Sequence, residues 1–229
     1  DDNAGSGDTL DVSVAGATGQ PLIFNIPGNI QNKEFSLYSN DTKGGVLLRT
    51  TAGNDQIFAR GSSNNLQGAT SIDTAGGDDK IFVGGRVTDN ASINTGSGND
   101  SLTIGFANNK ISVESTASID MGIDNDVLTI GATTISEIGS GIIDGGDGGD
   151  ELILTGINPP GDLSAAQNLW GEILEASNIS GFETVTFGSG ESAKTYSIGL
   201  DGTTLSVLVN PIAIDLDGDG IEYLGLDAG

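Results

Sequence analysis

One nine-residue stretch, Gly145-Gly146-Asp147-Gly148-Gly149-Asp150-Glu151-Leu152-Ile153, recurs in weaker form along the chain and limits what the chain can fold into. The same frame returns as Gly53-Asn54-Asp55-Gln56-Ile57, Gly76-Gly77-Asp78-Asp79-Lys80-Ile81, Gly96-Ser97-Gly98-Asn99-Asp100-Ser101-Leu102 and Gly122-Ile123-Asp124-Asn125-Asp126-Val127-Leu128. Its final aspartates, Asp55, Asp79, Asp100, Asp126 and Asp150, lie 24, 21, 26 and 24 residues apart. An early copy, Gly5-Ser6-Gly7-Asp8-Thr9-Leu10, precedes Asp55 by 47 residues, about two periods, and Glu34-Phe35-Ser36-Leu37 falls midway without a glycine loop. A repeat of this length means stacked units that bury a continuous core only together.

Each unit can be written out as strands. Positions two and four after the motif aspartate are apolar: Ile57 and Ala59, Ile81 and Val83, Leu102 and Ile104, Leu128 and Ile130, Leu152 and Leu154. The positions between are mostly polar, which is the period-2 pattern of a strand with one buried face. A second run precedes each loop: Ala69–Asp73, Ala91–Asn94, Ala117–Asp120 and Gly141–Asp144. A third, weaker run, as in Lys110–Glu114 and Thr133–Ile135, predicts a three-sided coil. Stacking in parallel would set equivalent residues about 4.8 Å apart. Asp55, Asp79, Asp100, Asp126 and Asp150 would then form one column, with Asp73, Asn94, Asp120 and Asp144 in a neighbouring one. Like charges about 5 Å apart repel by on the order of 1 kcal/mol per pair even at water-like dielectric, so such a ladder calls for counter-cations.

The loops resemble those of the repeats-in-toxin (RTX) family of secreted bacterial proteins, over roughly residues 45–155. That resemblance implies Ca²⁺, for which glycine turns and aspartate carboxylates are suitable hard-oxygen donors. RTX rolls carry a glycine loop at both ends of each turn. Here one loop occurs per 21–26 residues, which favours an all-β, right-handed parallel β-helix with calcium along one edge. The candidate ligands in the loops are Asp55, Asp73, Asp78, Asp79, Asn94, Asn99, Asp100, Asp120, Asp124, Asp126, Asp144, Asp147 and Asp150. Asp55 is the weakest candidate, because Arg49 stands where later units have Asp or Asn. The resemblance also implies a type I-secreted, extracellular bacterial protein, exported through a signal beyond Gly229, with cell-surface or matrix ligands as partners.

Charge and composition narrow the function. Thirty-two acidic residues against eight Lys and Arg give a net charge of −24, which argues against nucleic acid or an anionic membrane as partners. With no histidine and no cysteine, the usual bases, nucleophiles and zinc ligands are absent, so the chain reads as non-catalytic. No 18-residue apolar run predicts a membrane helix. The chain opens Asp1-Asp2 without methionine and reads as an excerpt of a longer protein.

The domain plan has four parts. Residues 1–50 are degenerate opening rungs or a small β cap, and 51–155 are the calcium-binding solenoid. In 156–209, Pro159-Pro160-Gly161 stops the repeat, and Leu163, Ala166, Leu169, Trp170, Ile173 and Leu174 follow helical spacing behind a cap at Asp162 or Ser164. That helix, with closing strands at Phe182–Phe187 and Leu205–Val209, covers the end of the stack. From 210 onward a second kind of calcium site is expected. Asp215, Asp217, Asp219 and Gly220 match positions 1, 3, 5 and 6 of an EF-hand-type loop, with Ile221 offering a carbonyl and Glu222 or Asp227 replacing the missing final glutamate. This edge also resembles the start of RTX self-processing modules, which cleave an Asp-Pro bond. Asn210 stands at the decisive position, and an amide is a poor nucleophile, so the Asn210-Pro211 junction is expected to be inert.

Overall fold

The computed structural model describes residues 9–15, 22–25, 34–40, 46–50, 52–61, 66, 68–105 and 112–207, and the strand pairs 213–214 and 222–223. Among these residues the chain forms a parallel β-solenoid with two sheets. Sheet A runs β1 (Thr9–Ala15), β3 (Glu34–Asn40), β5 (Gln56–Gly61), β7 (Lys80–Val83), β9 (Ser101–Ile104), β11 (Val127–Ile130), β13 (Glu151–Leu154) and β15 (Thr184–Phe187), all parallel. Sheet B runs β2 (Leu22–Asn25), β4 (Val46–Arg49), β6 (Ser71–Asp73), β8 (Ser92–Asn94), β10 (Ser118–Asp120), β12 (Ile142–Asp144) and β14 (Asn178–Ser180). The strands of residues 9–49 therefore join the same two sheets as the later rungs.

The alternation of apolar and polar residues fixes this register. Ile57, Ile81, Leu102, Leu128, Leu152 and Val185 stack in one inward column of sheet A, each at most 2% exposed. Leu48, Ile72, Ile93, Ile119 and Ile143 do the same in sheet B. Burying each such side chain stabilises the stack by about 1.5–3 kcal/mol, and a one-residue slip would turn every one of them outward.

The third side is thinner than the three-strand expectation. Leu66, Val87, Val113 and Gly139 make single parallel bridges, one per rung, and no continuous sheet forms there among the described residues. Thr133–Ile135, expected as strand, instead starts α1 (Ile135–Ile138). The Glu137 carboxylate turns back to accept from Thr133 N at 2.7 Å, Thr133 Oγ1 at 2.6 Å and Thr134 N at 3.3 Å. A β-branched run thus becomes a helix start, because a capping-box glutamate three residues on satisfies its amides.

The solenoid end is covered by α2 (Leu163–Ala176) and by an antiparallel extension of sheet A, β16 (Lys194–Ile198) and β17 (Leu205–Val207). Asp162 caps α2 by accepting from Ala165 N at 2.8 Å, as expected from its position. Ala166, Trp170 and Ile173 are buried, whereas Leu163 is 38% exposed although it shares their spacing. Trp170 Nε1 donates to Gly202 O at 3.0 Å, so the single tryptophan ties helix to hairpin.

Candidate functional site: two opposed carboxylate ladders

The candidate site is the loop between sheet B and sheet A, repeated in the rungs that carry Asp55, Asp79, Asp100, Asp126 and Asp150. Each loop ends on an Asx-Asp pair: Asn54-Asp55, Asp78-Asp79, Asn99-Asp100 and Asn125-Asp126, followed by Gly149-Asp150. The second residue of each pair has the parity of the inward strand positions, so Asp55, Asp79, Asp100, Asp126 and Asp150 are buried at 0–2% exposure.

Each buried aspartate reaches toward the preceding rung. Asp55 N donates to Asp79 Oδ1, Asp79 N to Asp100 Oδ1 and Asp100 N to Asp126 Oδ1, each at 2.7 Å, and Asp126 N donates to Asp150 Oδ1 at 2.8 Å. Glu183 ends the series by accepting from Asp150 N at 2.7 Å. The exposed Asx residues form a second ladder that points the other way. Asn54 accepts from Asp78 N at 2.9 Å, Asp78 from Asn99 N at 2.9 Å, Asn99 from Asn125 N at 3.2 Å and Asn125 from Gly149 N at 3.0 Å. Side chains thus clamp the four rung interfaces between Asp55 and Asp150 from both sides and satisfy loop amides that no sheet reaches. Gly149 has no side chain to offer the next rung, so the outer ladder stops where the inner one meets Glu183.

A third file lies beside the inner ladder. Thr50 Oγ1 donates to Thr74 O at 3.0 Å, Thr74 Oγ1 to Thr95 O at 2.8 Å, and Thr95 Oγ1 to Met121 O. The threonines, Asn54 and Asn125 were absent from the sequence-derived ligand set. Their signal was present as a fixed polar letter at each loop position, masked by the Asp/Asn/Gly exchange.

The inner carboxylates are only half satisfied. Oδ2 of Asp79, Asp100, Asp126 and Asp150 is buried without a hydrogen-bond partner. Burial, with the neighbouring carboxylates adding to it, raises Asp100 to about 7 and Asp79, Asp126 and Asp150 to about 6, against an ordinary 3.8. Hydrogen bonds from the preceding rung's amide, and from Thr74 at Asp79 and Thr95 at Asp100, pull the other way and do not balance the burial.

The two columns differ in burial, and at the Asp144 end they still interact, since the Asp144 carboxylate helps to raise Asp150. Asp73, Asn94, Asp120 and Asp144 share a register line with Arg49 at the end of sheet B and are half-buried or exposed, unlike the buried inner aspartates. Strand parity is the reason, since the residue after an inward isoleucine must point out. Arg49 Nε lies 3.5 Å from Asp73 Oδ2, and Asp144 accepts from Ser180 Oγ at 3.1 Å and Gly146 N at 3.3 Å. Asp124 accepts from Gly98 N at 3.2 Å, and Asp147 bridges to Ile123 through its backbone. Asp215, Asp217, Asp219, Ile221 and the Asn210-Pro211 bond lie outside the described residues. Glu222 is placed only by its backbone, opposite Ile214 in the pair β18 (Ala213–Ile214) and β19 (Glu222–Tyr223).

Loop packing is close. A Cβ at Gly146, where φ is 98°, would sit 1.9 Å from Gly122 O, and one at Gly148 would sit 1.6 Å from Asp124 O. Among the described residues no three acidic side chains gather as a metal cluster. A Ca²⁺ ion would therefore need backbone carbonyls and water to fill the six to eight positions it takes. The Oδ2 atoms nonetheless fit such an ion in donor type and charge: hard, buried oxygens, one per rung, on carboxylates whose hydrogen bonds do not offset the burial of the charge.

No family model, curated protein or solved structure matches this chain. The class that fold and site define is a capped parallel β-solenoid whose loops are tied by carboxylate ladders.

Proposed function

We propose that the chain is a calcium-dependent structural segment of a larger secreted, surface-acting protein. The observation that carries this reading is the column of buried, unpartnered Oδ2 atoms on Asp79, Asp100, Asp126 and Asp150. Four carboxylates whose anionic form is disfavoured, in a chain of net charge −24, make a fold that resists itself at neutral pH without cations. Ca²⁺ held beside these aspartates would remove that penalty, so that ion binding and folding become one equilibrium.

In this reading the chain's own groups do most of the positioning. The preceding rung's amides hold each Oδ1, the threonine file fixes the loop's inner wall, and the outer Asx ladder sets the rung spacing. A protein built this way stays loose where calcium is scarce and stiffens where it is plentiful, which suits an extended stalk or adhesive region outside the cell. The partners are calcium ions and surface or matrix ligands. The role is non-catalytic, since histidine and cysteine are absent from the chain.

The test is circular dichroism of the full chain in excess chelator and after adding millimolar Ca²⁺ or Mg²⁺. Loss of β signal or a large fall in melting temperature in chelator, restored by Ca²⁺ and not by Mg²⁺, is expected because Mg²⁺ demands a tighter octahedral shell. An unchanged melting temperature in chelator would overturn the reading.

A further inference from the structure

The outer face of sheet A differs in charge from the rest of the molecule. Across the four-residue width that β5 to β15 share, the only charged residues of outward parity are Lys80 and Glu151. These cancel, in a chain of net charge −24. Down this face runs one register column, Phe58, Phe82, Thr103, Thr129 and Ile153, one side chain per rung. Phe82 is 39% exposed and its ring centroid lies 6.4 Å from that of Phe58. Phe58, Thr103, Thr129 and Ile153 are half-buried. Apolar groups left in water together on one face mark a contact surface. Beside them the hydroxyls of Ser101, Thr103 and Thr129 make no hydrogen bond within the protein. By contrast, Thr184 Oγ1 donates to Asp150 O at 3.3 Å and Thr186 Oγ1 to Glu151 Oε1 at 2.6 Å.

We propose that this face binds a linear, uncharged polysaccharide laid along the column, across the strands. Charge selects against other partners. Polyanions are repelled by the surrounding chain, and a polycation would settle on the acidic loops and not on the one neutral strip. Shape points the same way. Four residues at about 3.3 Å make the strip about 13 Å wide, and six strands about 4.8 Å apart make it about 24 Å long. The resulting area of about 300 Å² is well under the roughly 800 Å² per partner of a stable protein interface. A globular protein or a second copy would gain too little there, whereas a single polymer chain fits the width.

The side chains match a sugar in kind. A pyranose ring has an apolar C–H face and a rim of hydroxyls. Phe58, Phe82 and Ile153 offer apolar contact to the first, and Ser101, Thr103 and Thr129 offer donors and acceptors to the second. The proposal names the partner class of the surface-acting reading given above, and rests on that reading only for bringing the chain to a glycan-bearing surface.

The test is affinity electrophoresis of the full chain in millimolar Ca²⁺, through gels containing hydroxyethyl cellulose, galactomannan or anionic hyaluronan. Retardation is expected in at least one of the two neutral polymers and not in hyaluronan. Phe82→Ala should weaken that binding about ten-fold, as loss of one aromatic contact implies. Thr103→Val with Thr129→Val, which keeps the side-chain shape and removes two hydroxyls, should weaken it by a similar factor. Circular dichroism of each variant checks that the fold is retained. Absence of retardation in both neutral polymers, equal retardation in hyaluronan, or unchanged binding in either variant would overturn the proposal. Self-association in sedimentation that Phe82→Ala abolishes would overturn it in favour of a second copy. Because folding is read separately, failure here leaves the calcium reading standing, and a melting temperature insensitive to chelator would remove the calcium reading alone.

Discussion

Asp100 sits in the middle of the inner ladder, and two substitutions there separate its jobs. Asp100→Asn keeps an acceptor for Asp79 N, which lies 2.7 Å from Oδ1, and deletes the charge on the unpartnered Oδ2. Asp100→Ala deletes both. A rise from 3.8 to about 7 would at face value correspond to about 4 kcal/mol at about 1.4 kcal/mol per pH unit. Water reaching the loop screens part of this, and a buried amide NH₂ gains no acceptor, so a net gain of about 1 kcal/mol is expected for the Asn variant in chelator at pH 8. That is about 2–4 °C in melting temperature for a domain of this size. With Ca²⁺ present the sign should reverse, because a ligand oxygen has been lost. Asp100→Ala leaves a buried N–H unsatisfied in every condition and should lose about 1–3 kcal/mol with or without calcium. Urea melts followed by circular dichroism, at pH 8 in chelator and in Ca²⁺, read both variants. If Asp100→Asn destabilises the chelated protein as much as Asp100→Ala, the charge on the ladder is not the liability described here.

The pH dependence follows from the same carboxylates. Their raised folded-state values mean that the folded chain binds these protons more tightly than the unfolded chain. In chelator the associated stability is therefore present below about pH 4 and is lost as pH rises through about 6 to 7. Melting temperature without calcium should fall across that window, and a rise there would contradict the assignment. Gly148→Ala should destabilise by about 2 kcal/mol or more, since its Cβ would lie 1.6 Å from Asp124 O in the preceding rung, and urea melts would show it. Asp120→Ala, on the outer face of sheet B, should change stability by no more than about 0.5 kcal/mol and leave calcium dependence intact. A loss equal to that of an inner aspartate would restore the outer column as part of the site.

Much of this fold was legible in the sequence because its determinants are local and repeated. Ile72, Ile81 and their counterparts announce two strands per rung by period alone, and Asp162, Ala166 and Trp170 announce the capping helix. The third side misled because Thr133-Thr134-Ile135 has strand propensity, while the deciding contact comes from Glu137. Strand β16 was missed because Lys194–Ile198 pairs antiparallel and breaks the repeat that made the other strands visible. The site was legible in composition and not in direction. Spacing placed Asp73 and Asp79 six residues apart in the same loop, but only the strand parity on either side leaves one half-buried and buries the other. The opposed ladders lay further out of reach, since they depend on which amide each carboxylate meets across a rung interface.

The most direct test of the account is calorimetric titration of Ca²⁺ into the full chain and into a variant carrying Asp79→Asn, Asp100→Asn and Asp126→Asn. These substitutions keep the acceptors for the neighbouring amides and remove the charged oxygens, so the variant should fold while its calcium heat shrinks to the portion contributed elsewhere. Binding of equal stoichiometry and heat in both proteins would contradict the claim that the buried ladder is where calcium acts.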